Sequence, residues 1–200
     1  MTLNAHLPLN NLSFGFCSFN ILKELYQKGI SPNLFTQGGV DLSAFNLDQD
    51  FQYFLQSCLN KAPKYFNRNN KCFKLWHING SEQSISNDTY LFTFYELDNP
   101  TQIEVNILNN QKAVFVSSKE TKTVFENFDV QIPVIYCPLG FDKHHFKKED
   151  VRPYGKDIIV FGVFGKFEKR KHHAKLIQTW LKNSEIIESM FFTLIFITPF

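Results

Sequence analysis

The chain has 200 residues, 44% of them hydrophobic and 20% charged, which is the balance of a folded protein and excludes disorder along the whole chain. That length fits one large domain or two small ones, since a domain takes roughly 100–200 residues. Lysine and arginine total 21 against 19 acidic residues, a formal charge of +2, too even to imply a nucleic acid or an anionic membrane as partner.

Phenylalanine is abundant at 23 residues, and lysine far outnumbers arginine, a bias that reads as the codon usage of an AT-rich gene. Cys17, Cys58, Cys72 and Cys137 form no C-x-x-C pair and have no histidine at zinc spacing. Neither a metal site nor a redox motif is therefore expected, and reduced thiols in a cytoplasmic protein are the default. The opening Met1-Thr2-Leu3-Asn4-Ala5-His6 is polar and Pro8 and Asn10 follow, so no secretory leader is expected. The apolar tail Met190–Phe200 falls short of the ~20 residues of a spanning helix. It reads as a buried strand, and no transmembrane segment is expected.

In chain order, the loop Asn10–Gly15 leads into an amphipathic helix over Phe16–Lys28, where Phe16, Phe19, Leu22, Leu25 and Tyr26 recur at helical intervals and Gly29 is a stop signal. A second helix is predicted over Asp48–Leu59, with Asp48 and Asp50 favouring its N-terminus and Pro63 limiting its extent. The apolar runs Lys74–Ile78, Tyr90–Tyr95, Ala113–Val116 and Pro133–Cys137 read as buried parallel strands. Ser117-Ser118 supplies cap chemistry for a short helix over Thr121–Phe128. The alternation predicts an α/β fold, a Rossmann-like doubly wound parallel sheet.

The charged stretch 143–156, with Pro153 and Gly155, is the candidate linker. The predicted organisation is a first domain over 1–142, that linker, and the start of a second α/β domain over 157–200. In the last, Asp157–Phe164 is a strand, Gly165–Lys171 a basic loop, His172–Leu181 a helix and Phe192–Ile197 a closing strand. One strand–helix–strand unit is too little to bury both faces of a sheet, so the second domain reads as cut short.

In open α/β sheets ligands bind beyond the carboxyl ends of the strands, where loops present backbone N–H groups and helix N-termini. The loop Phe164–Lys171 is the sharpest candidate. Gly165 allows close backbone approach, and Lys166, Lys169, Arg170 and Lys171 could neutralise a diphosphate or form a solvated basic face. His77 and Glu96 end two other strands, with chemistry suited to hydroxyl recognition and proton transfer. Ser13 and Gly15 precede the first helix, either admitting a ligand against backbone amides or forming a turn and cap. His144-His145 and His172-His173 are adjacent pairs whose side chains do not converge on one ion, so no metal is expected. No G-x-S-x-G elbow is present.

Taken in order, Leu12-Ser13-Phe14-Gly15, Trp76-His77, Thr93–Asp98, Val116-Ser117-Ser118 with Pro138-Leu139-Gly140-Phe141-Asp142, and Phe164–Lys171 resemble a known family. It is the large retaining group of nucleotide-sugar-dependent glycosyltransferases of GT-B fold, the family 4 or group 1 type. The resemblance implies that Gly165, Lys166 and Lys171 hold the donor diphosphate, although His172 stands where a glycine is usual. It further implies that the Ser13–Gly15 loop lies beneath donor and acceptor, that His77 contacts the transferred sugar, and that Glu96 is the acceptor-side acidic group. The expected partners are a nucleotide-sugar donor and a glycan or other hydroxyl acceptor, with no cofactor, no metal and no nucleic acid. The family's Glu-x7-Glu element has no counterpart here, because Glu185 and Glu188 are spaced by three. The alternative reading is a non-catalytic α/β module that binds a sugar or a nucleotide.

Overall fold

The computed structural model describes residues 2–141, 147–148, 159–165, 167–183 and 190–196. The chain divides into two compact units, Met1–Gly140 and Phe141–Phe200.

The first unit is a six-stranded, all-parallel sheet flanked by helices, a Rossmann-like α/β fold. Its elements run β1 (Asn4–Leu9), α1 (Ser13–Gln27), β2 (Asn33–Val40), α2 (Gln49–Lys64), β3 (Cys72–Leu75), β4 (Thr89–Thr93), α3 (Gln102–Asn109), β5 (Ala113–Val116), α4 (Lys119–Asn127) and β6 (Val134–Tyr136). The spatial order β2-β1-β3-β4-β5-β6 starts at β1, steps outward to β2, and then returns past β1 to grow in the other direction. The reversal makes the β1/β3 junction the topological switch point, where this class of sheet opens a crevice.

Two apolar layers hold the sheet. On one face Ala5, Leu7, Leu9, Leu34, Leu75 and Phe92 pack beneath α1 and α2, which contribute Phe14, Phe19, Leu22, Phe51, Leu55 and Cys58. On the other, Leu91, Val114, Val116 and Val134 pack with Ile107 and Leu108 of α3 and Phe125 of α4. The spacing of Phe51, Leu55, Cys58 and Ala62 is why α2 buries one stripe. Its N-terminus is capped by Asp48, which accepts from the Phe51 N–H at 2.7 Å.

Pro63 was expected to limit this helix near Leu59, but α2 continues to Lys64. In the last turn a proline costs little more than the bond its missing N–H would have made, whereas in a helix interior its ring also breaks the turn before it. Strands β1 and β2 were absent from the sequence expectation. Every residue of β1 is buried, but Asn4, His6 and Pro8 break its apolar run. Pro8, which has no N–H to give a ladder, falls where the β1/β2 register shifts between Leu7 and Leu9. Opposite it, Gly38 takes a φ of +83° that a glycine adopts without steric cost.

In the second unit β7 (Ile159–Gly165) pairs in parallel with β8 (Met190–Phe196), and α5 (His173–Asn183) lies between them in sequence. Residues 142–146 and 149–158, most of the expected linker, lie outside the described residues, as do Glu185 and Glu188. No helix among the described residues is long and apolar enough to cross a membrane.

Candidate functional site

Because all six strands of the first unit are parallel, the loops after β1, β3, β4 and β5 emerge along one edge of the sheet. The turn after β1 is tight. The Asn10 side-chain oxygen accepts from the Leu12 N–H at 3.0 Å. Asn11 reaches sideways to the segment following β2, donating to Asp41 at 2.9 Å and to Ser43 at 3.1 Å. The Asp41 carboxyl is held below its ordinary range by the Ser43 backbone N–H and hydroxyl.

Leu12 is the N-cap of α1 and makes no side-chain cap bond, so Ser13 is the helix's first residue and not its cap. The first intrahelical bond is Phe16 N–H to the Leu12 carbonyl at 2.9 Å. The amides of Ser13, Phe14 and Gly15 are consequently the donors left without intrahelical partners at this end. Gly15 is required by packing and not by φ. A Cβ there would overlap the Asn10 carbonyl oxygen and lie 2.6 Å from the Asn10 amide nitrogen.

His77 follows β3 and comes to the same place. Its ring centroid is 4.5 Å from that of Phe14 and 5.4 Å from that of Trp76, and the residue is solvent-exposed. Phe14 also packs on Phe94 beyond β4, at 4.6 Å. Phe14 thus ties His77 to the first turn of α1, the turn that carries Ser13 and Gly15, at the β1/β3 switch point.

The segment carrying His77 is fastened from below by a residue that the sequence reading passed over as part of a strand. Lys74 of β3 is 1% exposed and donates to the carbonyls of Gly80 and Gln83, each at 2.9 Å. Ser81 Oγ then donates to the His77 carbonyl at 2.6 Å. Burial pulls the Lys74 ammonium below the usual lysine range. A lysine inside an apolar run was the available signal, since an ammonium is rarely buried without a dedicated partner.

Glu96 leaves β4 one strand further along. It is exposed and lines an open cleft of about 510 Å³ with Tyr95, Leu97, Asp98, Ser118, Glu120, Thr121 and Val124. His77 is not in that lining. On the α4 side of the cleft, Ser118 caps the helix by accepting from the Thr121 N–H at 3.0 Å. Thr121 Oγ1 in turn donates to the Tyr95 carbonyl at 2.9 Å. The Tyr95 phenol is pushed up to about 12 by burial and by the neighbouring Glu104 and Asp98 carboxylates, so it is a neutral hydrogen-bond donor at physiological pH.

In the second unit, Gly165 ends β7 with a φ of +143° and nothing within 4 Å of a built Cβ, so its backbone conformation is what calls for glycine there. Lys166 lies outside the described residues. A single 3-10 turn over Lys169–Lys171 and a left-handed His172 (φ 53°) lead into α5. Arg170 is bound to Glu168 at 2.7 Å, which leaves its charge partly answered, and Lys169 and Lys171 are exposed. Phe167 stacks on His173 at 5.4 Å. No group of three or more His, Cys, Asp or Glu able to hold a metal ion occurs among the described residues.

The chain matches no protein-family model and no curated protein at significance.

Proposed function

We propose that the chain is a glycosyltransferase of GT-B type that moves a hexose from a nucleotide-diphosphate sugar to a hydroxyl acceptor with retention of configuration. The observation that carries the reading is the contact of His77 with Phe14, in the first turn of α1, at the β1/β3 switch point. The ordered motifs of the resemblance join it.

In this reading the first unit supplies the acceptor side. The α1 amides and the His77 imidazole bind hydroxyls of the transferred sugar, and Glu96 orients the incoming acceptor hydroxyl in the cleft beside β4. The second unit supplies the diphosphate loop. Bond cleavage at the anomeric carbon places negative charge on the departing nucleotide diphosphate, and Gly165, Lys166 and Lys171 stabilise it electrostatically with the amides of the following turn. The acceptor hydroxyl attacks from the face that the diphosphate leaves, and its proton passes to a diphosphate oxygen.

The test is calorimetric titration of the 200-residue protein with uridine, guanosine and adenosine diphosphates and their hexose conjugates, followed by a transfer assay with the tightest binder. The expected result is binding that weakens about tenfold in Lys171→Ala, the loss of roughly 1.4 kcal/mol of charge-assisted contact. In His77→Ala the conjugate should weaken more than the bare diphosphate. Binding without transfer would make the protein a binding module, and the absence of binding to any of the series would overturn the reading.

A further inference from the structure

Between Asp50 and Glu82 the chain holds no acidic residue, and within that stretch Lys61, Lys64, Arg68 and Lys71 gather where α2 gives way to β3. The fold brings them to the edge of the sheet opposite the one that carries the crevice. Asn4 and Asn33 open β1 and β2, and they hold this connection in place. The Tyr65 carbonyl accepts from Asn33 Nδ2 at 3.1 Å, that of Asn67 from Asn4 Nδ2 at 3.0 Å, and that of Lys71 from the Asn4 N–H at 2.9 Å. The Arg68 carbonyl accepts from the Asn87 N–H at 2.9 Å, just ahead of β4. The Lys61 ammonium donates to Ser31 Oγ at 2.8 Å, which joins the turn Lys28–Ser31 after α1 to the same surface.

Lys28, Lys64, Arg68 and Lys71 are exposed and Lys61 is half-buried, and none of these cations is paired with a carboxylate among the described residues. The neighbouring acids are Glu24, a turn before Lys28, and Asp88, which already pairs with Lys112 at 3.8 Å. Among the cations stand apolar side chains that the core does not take: Ile30, Tyr65 and Phe66 are 44%, 54% and 46% exposed. Lys64 Nζ lies 5.4 Å from the Tyr65 ring centroid, so hydrocarbon and positive charge sit side by side. The even overall charge of the chain conceals this local excess.

We propose that this edge is a docking surface for an anionic lipid bilayer, with the cations facing acidic headgroups and Ile30, Tyr65 and Phe66 entering the boundary between headgroups and acyl chains. Rings among lysines suit that boundary, because the ring takes the hydrocarbon contact while the ammonium groups stay with the phosphates. Single-stranded nucleic acid also takes cations and rings. Here, however, four of the five cations are lysines, which lack the planar fork that reads bases, and Ile30 has no face on which a base could stack. The surface is independent of the glycosyltransferase reading. It lies the length of β1, roughly 20 Å for its six residues, from the switch-point loops, so docking leaves that edge turned away from the bilayer.

The experiment is co-sedimentation of the full 200-residue chain with vesicles of phosphatidylcholine, alone or with about one-third phosphatidylserine. The expected result is binding to the acidic vesicles only, weakened as salt rises toward ~0.5 M. Replacing Lys64, Arg68 and Lys71 together by Gln should weaken it by about a factor of 100, at roughly fivefold per cation, and Tyr65→Ser by about fivefold. All four positions are exposed, and urea midpoints matching the parent's show that the variants fold. A control of equal charge, with Lys119, Lys175 and Lys182 replaced by Gln, should bind as the parent does. Equal binding to both vesicle compositions, or the same loss in the control as in the patch variant, would overturn the proposal. The absence of binding to acidic vesicles would overturn it too, and an oligonucleotide held through the same three cations would then identify a nucleic acid as the partner.

Discussion

Strand β1 shows two different solutions to burial on its two faces. Ala5, Leu7 and Leu9 face an apolar layer under α1 and α2, and their stabilisation is the non-directional one of removing hydrocarbon from water. The opposite face presents Asn4 and His6, which continue into Asn33 on β2 and Lys74 on β3, all buried. There the cover is not a helix but chain from the loops. Asn4 donates to the Asn67 carbonyl and to Ser86 at 3.0 and 2.9 Å, Asn33 donates to Asn4 and to the Tyr65 carbonyl at 3.0 and 3.1 Å, and Lys74 holds Gly80 and Gln83. Loop backbone carries carbonyls that must be satisfied, so a sheet face covered by loops needs polar side chains where one covered by a helix needs apolar ones.

The comparison is broken most directly by truncating each face in turn, and the largest effect belongs to the apolar one. Leu7 is completely buried, and Leu7→Ala leaves a cavity between the strand and its covering helices, at a cost of about 3–4 kcal/mol. Urea unfolding followed by tryptophan fluorescence measures it. A loss below about 1 kcal/mol would mean that α1 and α2 settle onto the strand and that this face is not tightly packed.

The next effect separates the faces by pH, because only the polar one titrates. His6 is lowered from 6.5 to about 4, first by burial and then by the neighbouring Lys74 ammonium, and its Nδ1 has no protein hydrogen-bond partner among the described residues. The imidazole is neutral in the folded protein and binds its proton more readily when unfolded. Its contribution is therefore fully present above pH 6.5 and is lost as the pH falls from there toward 4, by up to about 3 kcal/mol. The difference in urea midpoint between the protein and His6→Gln, followed from pH 7.5 to 4.5, should change across that window. Parallel curves would show that His6 is protonated or solvated in the fold.

These two faces also explain which parts were legible in the sequence. Strands β3 to β6 were visible because Leu75, Leu91, Val114 and Val134 stand in apolar runs with turn residues between them. Strand β1 was not, because period-two alternation of Asn4, His6 and Pro8 with Ala5, Leu7 and Leu9 looks like an exposed edge when the polar positions are in fact buried. No local pattern distinguishes a polar residue facing water from one facing loop carbonyls. At the site, the glycine at Gly15 was legible as a loop signal, but its reason, the Asn10 carbonyl lying where a Cβ would be, is a tertiary contact. His77 was legible as a strand-end histidine, whereas its support by Lys74 depends on a loop folding back six and nine residues later. Ser118 was read correctly as cap chemistry because a cap is a local event, settled within three residues.

The smallest of the three effects sharpens the comparison most, because it asks whether the polar face is rigid or only satisfied. Lys74→Met keeps most of the side-chain volume and removes the ammonium, leaving the Gly80 and Gln83 carbonyls without their donor. Two opposing changes follow. The desolvated charge disappears, which favours the variant, and two partly buried acceptors lose their partner, which costs roughly 1–3 kcal/mol each where water does not replace it. The net expected loss is about 2 kcal/mol in global stability. If the loop instead lifts toward water, the carbonyls are satisfied there, stability is unchanged, and amide exchange within residues 77–83 accelerates while that of β1 does not. Hydrogen exchange and urea unfolding on the same sample distinguish the two. A stability loss with unchanged exchange in 77–83 identifies Lys74 as part of the packed sheet, and faster exchange identifies it as the clamp that sets where His77 stands.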